Sequence, residues 1–449
     1  MELFDPLFRS SPCAEHFGAA ATLQGMLDFE AALARAQADA GVIPREAATP
    51  IEQACRSDYF DPALIAGEAA RAGNLAIPLI KHLTARVRRD DPEAARYVHW
   101  GATSQDAIDS GMMLQLKAAF ALVDGQLGVL QQVLAEQAER HRDTVMVGRT
   151  WLQHALPVTF GLKLAGSLDA VLRLRAQLQA LAPEVLCLQF GGAAGTLASL
   201  GAQGPDVARE LARRLDLALP DLPWHGQRDR IVRAGAFLGT LAGTLGKLAR
   251  DLSLLAQTDV GEVAEAAGAG RGGSSTMPHK RNPVGCAVIL AAAARAPQLV
   301  AVLMAAMPQE HERGLGGWHA EWETLPELAM LAAGALDTAI ELVRGLEVHA
   351  ARMRENLDAT HGLIMAEAVS MALAESMGRL QAHALVEQKC RQALEQGRGL
   401  QDVLAEDERV LAALGTQKLA ELMAPQNYLG AAGVFVDRVL EHARAKPVS

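Results

Sequence analysis

The stretch Ile108-Asp-Ser-Gly-Met-Met-Leu-Gln-Leu-Lys-Ala-Ala-Phe-Ala-Leu-Val-Asp-Gly-Gln-Leu-Gly-Val-Leu-Gln-Gln-Val-Leu-Ala-Glu-Gln-Ala-Glu-Arg-His-Arg142 contains no proline, and its apolar side chains return at Met112, Leu116, Phe120, Val123, Leu127, Leu130 and Leu134. Steps of three and four residues put one side chain per turn on a common face. The spacing therefore predicts a single helix of about 50 Å. Comparable long segments recur around 159–181, 229–266 and 284–306. Helices of this length laid side by side form an extended bundle, and the apolar faces they leave over need covering, which self-association supplies.

Outward from this centre the texture changes. Residues 1–105 read as short helices broken at Pro44, Pro50, Pro62 and Pro92, and shorter helices return from about 346, with turns near Gly397–Gly399 and Pro425–Gly430. A chain of 449 residues exceeds what one hydrophobic core spans. The expected organisation is all-α in three domains: an N-terminal helical domain (1–105), a central long-helix bundle (106–345) and a C-terminal helical domain (346–449). Apolar residues make up 50% of the chain and aromatics only 4%, a balance that favours helix over strand.

The five cysteines, Cys13, Cys55, Cys187, Cys286 and Cys390, are odd in number and widely spaced, which suits a reducing compartment better than a disulfide framework. Neither a basic leader followed by an apolar stretch nor an uninterrupted apolar run of membrane-spanning length is evident, so a cytoplasmic protein with no membrane partner is expected. A net charge of −10 argues against nucleic acid as a partner. It leaves an anionic ligand possible, because distant surface charge is screened within about 8 Å and a few local cations then dominate a pocket. Lys280, Arg281, Arg313 and Arg149 are the candidates.

Residues 273–283 read Gly-Ser-Ser-Thr-Met-Pro-His-Lys-Arg-Asn-Pro. Two hydroxyls, an ammonium, a guanidinium and an amide follow a Gly-Gly pair, and Pro278 and Pro283 argue against continuous helix. This is the equipment of a loop that closes over an anion. The segment resembles the signature of the fumarase/aspartase superfamily, Gly-Ser-Ser-x-Met-Pro-x-Lys-x-Asn-Pro, and matches it at every fixed position. The resemblance implies that fold and homotetramers whose active sites are shared between subunits. It also implies roles for Ser274 as the base that removes a proton beside a carboxylate, and for Lys280 and Asn282 as donors to the resulting enediolate. Ser275 and Met277 of the same loop are expected to line the substrate. The chemistry requires such donors, since charge developing on carboxylate oxygens must meet preorganised partners in a dry site.

Two further stretches carry the resemblance. In His99-Trp-Gly-Ala-Thr-Ser-Gln-Asp106, Thr103, Ser104 and Asp106 are also good helix N-capping residues. The superfamily binds a substrate carboxylate here, which implies binding roles for His99, Thr103 and Ser104. In Gly148-Arg-Thr-Trp-Leu-Gln-His-Ala155 most superfamily lyases place histidine directly after Gly-Arg-Thr, to protonate the departing amine or hydroxyl; this chain has Trp151, with Gln153 and His154 beyond it. A carboxylate leaving group needs no such proton, because its conjugate acid has a pKa of about 4. The Thr-Trp-Leu-Gln-His-Ala run is similar to one branch of the superfamily, the bacterial 3-carboxy-cis,cis-muconate cycloisomerases. So are Leu188-Gln-Phe-Gly-Gly192, Trp224-His-Gly-Gln-Arg-Asp-Arg230, and Met307–Arg313 with Trp318–Pro326, and the resemblance covers nearly the whole chain.

That branch implies intramolecular addition of a carboxylate across an alkene of a small tricarboxylate, without cofactor. Arg313, whose fork suits a carboxylate, is then a further binding residue, and Trp151, Gln153 and His154 line the pocket. The alternatives are a C–N lyase acting on adenylosuccinate or argininosuccinate, and a non-catalytic helical scaffold. Gly268-Ala-Gly-Arg-Gly-Gly273 fits a dinucleotide pattern but follows helix rather than strand. Glu310-His311-Glu312 lacks metal-ligand spacing, and His361 and His383 read as structural.

Overall fold

The computed structural model describes residues 3–266, 272, 277 and 280–445. The chain is mostly helical, as the composition implies. The predicted central helix runs Ser104–Arg140, and the other long segments form Phe160–Val185, Asp229–Leu255, Val284–Ala306 and Gly317–Arg344. Pro183, Pro297 and Pro326 lie within three of these helices without ending them. Two small antiparallel strand pairs depart from the all-helical expectation: Val145–Thr150 with Gln153–Thr159, and Val263–Ala264 with Glu347–Val348.

Contacts divide the chain into two compact units. The first takes in Met1–Gly128, Arg173–Lys247 and Val288–Ala339. Its core is built around a close crossing of the Ala19–Asp39 helix with Ser104–Arg140. A Cβ on Gly25 would stand 2.9 Å from the Gly111 carbonyl oxygen, so only glycine lets the backbones meet. Phe29 packs edge-on against Phe190, and Phe120 against Phe237.

The second unit takes in Val129–Leu172, Leu248–Ala287 and Ile340–Ser449. Met365, Val369, Leu373, Leu385, Val403 and Leu419 close the core of its C-terminal helices. Arg142 forms a two-pronged ion pair with Asp437, each contact 2.7 Å, which ties the C-terminal Ala432–Arg444 helix to the start of the hairpin.

Among the described residues, two helices are long and apolar enough to cross a membrane, Ser104–Arg140 and Val284–Ala306. The first carries Asp106, Asp109 and Asp124 among its apolar residues, the pattern of a core helix. In the second, only 33% of the most apolar stretch is buried within the chain, and Val302 and Met304 stand exposed. The central-bundle reading anticipates such an uncovered face.

Candidate active site

In the first unit, three loop segments meet around Asp106. Ser104 opens the long helix, so Asp106 is its third residue, and its carboxylate accepts the Thr103 N–H at 3.0 Å, one arm of a capping box. The same carboxylate accepts the Gly191 and Gly192 N–H groups, each at 3.0 Å, and bonds His225 Nε2 at 2.7 Å. None of its side chain is exposed. Asp106 is therefore consumed in joining the 99–106 turn to the 189–200 loop, the capping role its position allows.

The third segment carries Arg313. Its Nη1 donates to Thr103 Oγ1 and its Nη2 to the Ala193 carbonyl, each at 3.1 Å. Glu310 holds this segment in shape by accepting the Leu315 N–H at 2.8 Å, a bond that lowers its pKa. Thr103 and Arg313, which lie 210 residues apart, are thus neighbours. Ser104 stands at the helix N-terminus, where free backbone N–H groups and the helix dipole favour an anion. His99 occupies left-handed backbone (φ 60°) and bonds Glu30 Oε1 through Nδ1 at 2.6 Å.

Beneath these loops lies a buried ionic cluster. Arg228, 1% exposed, bridges Asp109 (2.7 Å) and Glu321 (2.5 Å) and lies 4.7 Å from the centre of the Trp224 ring. Gln105, Gln189 and Trp318 Nε1 also donate to Asp109. Burial raises the Glu321 carboxyl against the opposing pull of Arg228.

In the second unit, Trp151 and Leu152 form the two-residue turn of the hairpin, with φ of 54° and 65°. Left-handed backbone at both positions is the type I′ arrangement, which Asn-Gly meets easily and which strains a bulky residue by about 1 kcal/mol or more. Trp151 is 97% and Leu152 73% exposed, so no packing within the chain offsets the strain. Within a single, unassembled chain we expect Trp151→Asn with Leu152→Gly to relieve about 1–2 kcal/mol of turn strain, while turnover falls at least about tenfold. Thermal unfolding and kinetics read the two effects separately, and a fully active variant that is no more stable would contradict the strain argument.

Arg149, a candidate for binding the ligand, is committed elsewhere. It pairs with the fully buried Glu262 at 3.0 and 2.7 Å, and Asn356 also donates to Glu262. Gln153 and His154 follow the turn and are exposed. Partial loss of solvent around the ring first, then the cationic Arg149 across the hairpin, lowers the His154 pKa from the ordinary histidine value, which favours its neutral form.

The signature loop is anchored at its described ends. Glu265 accepts the Gly285 and Cys286 N–H groups at 3.0 and 2.9 Å, capping the Val284–Ala306 helix. Arg281 is paired to Glu347 and donates to the Glu265 carbonyl, so it too is not a free cation. The Asn282 N–H bonds the Gly272 carbonyl at 2.9 Å, and Gly272 takes φ 64°, with the Asn282 oxygen 2.8 Å from where a Cβ would stand. Met277 and Lys280 are exposed. Ser274 and Ser275 lie outside the described residues, as does most of the Gly268–Gly273 run.

A profile of the Lyase family matches residues 9–297, and one described as adenylosuccinate lyase C-terminus matches residues 362–439. The chain belongs to the fumarase/aspartase superfamily. Among its superfamily relatives, the 3-carboxy-cis,cis-muconate cycloisomerase of Pseudomonas aeruginosa is 60% identical over 442 residues, 98% of this chain and 96% of its own length. That of Bradyrhizobium diazoefficiens is 54% identical, with 98% and 97% covered. The crystal structure of 3-carboxy-cis,cis-muconate lactonizing enzyme from Pseudomonas putida superposes with a TM-score of 0.95 at 52% identity over 99% of each chain.

The acids that pair with the candidate residues or cap the loop's following helix escaped the motif reading. Glu30, Glu262 and Glu265 lie outside the three quoted motifs. The available signal for Glu30 was its position, because an acid on the stripe marked by Leu23, Met26, Leu27, Leu33 and Ala34 has to be paired when buried.

Proposed function

We propose that this enzyme closes 3-carboxy-cis,cis-muconate to γ-carboxymuconolactone, an intramolecular lyase reaction of protocatechuate breakdown. The observation that carries the reading is Trp151 at the hairpin turn, where most superfamily lyases hold a proton-donating histidine. Trp151 cannot protonate a leaving group, and an attacking or departing carboxylate needs no proton. The similarity to cycloisomerases over 98% of the chain supports it.

In the proposed mechanism one substrate carboxylate oxygen attacks an alkene carbon of the same molecule. A C–O bond forms, and the π electrons move through the α carbon into a second carboxylate as an enediolate. Lys280 and Asn282 donate to that enediolate, and a proton delivered to the α carbon completes the lactone. Ser274, the base in the lyase direction, is by microscopic reversibility the leading donor, and Lys280 is the alternative. Thr103, Ser104, Arg313 and His99 bind the other carboxylates. The bond from Arg313 to Thr103 supports this assignment, since it aims a fork suited to carboxylate at a helix N-terminus. Trp151, Gln153, His154, Ser275 and Met277 shape the pocket. No step calls for a cofactor.

Homotetramers with shared active sites are part of the proposal. The exposed Val302 and Met304 on Val284–Ala306 and the exposed Trp151 support it, since both are apolar surfaces left uncovered by the described residues of one chain. Sedimentation at micromolar concentration is expected to give four chains per particle, and a monomer that turns over substrate would exclude shared sites. The small tricarboxylate is the only partner assigned, and a cytoplasmic setting fits the unpaired cysteines.

The function itself is tested by adding the protein to 3-carboxy-cis,cis-muconate. Ultraviolet absorbance of the conjugated diene falls at constant molecular mass if the reading is right. Unchanged absorbance with folded protein refutes it.

A further inference from the structure

Glu30 sits on the apolar face of the Ala19–Asp39 helix with none of its side chain exposed. An ionised carboxylate buried without a partner is costly. Its one partner among the described residues is His99 Nδ1 at 2.6 Å, and Oε2 has none. Bonds between an ionised donor and acceptor are shorter and stronger than neutral ones, and this contact is short. Two turns further along the helix, Gln37 donates to the Trp100 carbonyl at 2.6 Å. The helix thereby grips the turn at two successive residues, and that grip holds His99 in left-handed backbone that a side chain rarely adopts. Four residues later the same turn delivers Thr103 to Arg313.

The field around the pair favours the charged imidazole. Asp106, from the Ser104–Arg140 helix, acts on His99, and His225 is bonded to that same Asp106. On the Glu30 side stand Asp28 from the same helix, and Glu52 and Cys55 from the next. The cation there, Arg35, is committed to Glu52, and Arg313 lies on the Thr103 side. Burial opposes the charge on His99, but Glu30 and Asp106 outweigh it and leave its pKa raised. With Nδ1 bonded to a buried acid, ring geometry leaves Nε2 on the side away from Glu30, and 17% of the side chain remains exposed.

We propose that Glu30 is a positioning residue that holds His99 as an imidazolium and presents its Nε2–H to a substrate carboxylate beside Thr103 and Arg313. The identity of that anion rests on the function proposed above. His99 and Arg313 then supply two cationic donors for substrate carboxylates. A neutral histidine in the same place would supply a hydrogen bond without the charge.

The test is Glu30→Gln, which keeps the size of the side chain and removes its charge. In the parent enzyme kcat/KM should fall as pH rises through the His99 pKa. In Glu30→Gln the fall should begin about one unit lower or more, which costs up to about tenfold at pH above the parent's limb, and it should lie in KM more than in kcat. Glu30→Asp, which retains a carboxylate, should keep the limb close to its parent position. An unmoved limb, or a uniform loss at every pH, would overturn the proposal.

Stability gives a second reading that needs no turnover. A histidine whose folded pKa is raised contributes stability that is complete below its unfolded value, near 6.5, and is lost as pH rises through the folded pKa. The unfolding temperature of the parent should therefore exceed that of Glu30→Gln most at pH 6, and the gap should close toward pH 9. A gap that stays constant would overturn the imidazolium assignment. Absence of lactone formation by the parent would remove the proposed function while this comparison still judged the pair.

Discussion

Ser274→Ala is expected to lower turnover by about three orders of magnitude or more, with fold and assembly intact. The proton that Ser274 handles is bound to carbon beside a carboxylate, so its transfer is the slow chemical event and needs a positioned donor as well as a stabilised enediolate. Serine alone is a weak base and a weak acid, so its part in the reaction requires activation by a neighbouring group. An unchanged KM with a collapsed kcat would mean the hydroxyl acts in the transition state rather than in binding. Near-normal turnover would remove Ser274 from the mechanism and make Lys280 the donor, in which case Lys280→Met should carry the loss instead.

Arg228→Met is expected to destabilise the protein by about 3–5 kcal/mol. The substitution leaves Asp109 and Glu321, whose side chains are 5% and 6% exposed, buried together without their cation. Asp109 retains Gln105, Gln189 and Trp318, whereas Glu321 retains only Gln309 among the described donors. The pH dependence has a definite sign. Burial already raises the Glu321 carboxyl, and losing Arg228 raises it further. The folded variant then holds a proton that the unfolded chain releases above about 4.3, so its stability falls as pH rises through that window. The deficit against the parent should be smaller at pH 5 than at pH 8. Combining Arg228→Met with Asp109→Asn and Glu321→Gln removes the stranded charges and should recover much of the loss. Denaturant titration of the three proteins measures this, and a single variant as stable as the parent would contradict it.

Much of this architecture was legible because it rests on local rules. The proline-free run from Ile108 to about Arg142 could only be a long helix, and in the structure it begins earlier, at Ser104, and ends at Arg140. The 273–283 signature named the superfamily. The Thr-Ser-Gln-Asp stretch could be read either as a helix cap or as an anion site, and Asp106 is the cap while Thr103 meets Arg313. Pairings across long separations were not legible. Arg149 and Arg281 looked like free cations until Glu262 and Glu347, 113 and 66 residues away, took them up. Nothing in the local pattern announces which acid a given arginine will meet. The hairpin was missed for a related reason. Trp-Leu is a poor sequence for a two-residue turn, so no turn signal marked it, and the strain it stores lies at a residue assigned to the pocket. Glu30 and Gln37 were in principle readable as polar residues on an apolar stripe, but their common target, the His99-Trp100 turn, lies more than sixty residues further along the chain.

The most direct test of intramolecular closure is the reaction carried out once in D2O and once in water enriched in oxygen-18, with prompt mass analysis of the lactone. If a substrate carboxylate attacks and a solvent-derived proton completes the reaction, the product gains one deuterium from the first solvent and no heavy oxygen from the second. Heavy oxygen in the fresh product would mean that water, not carboxylate, adds to the alkene. The enzyme would then be a hydratase, and the argument from Trp151 would fail.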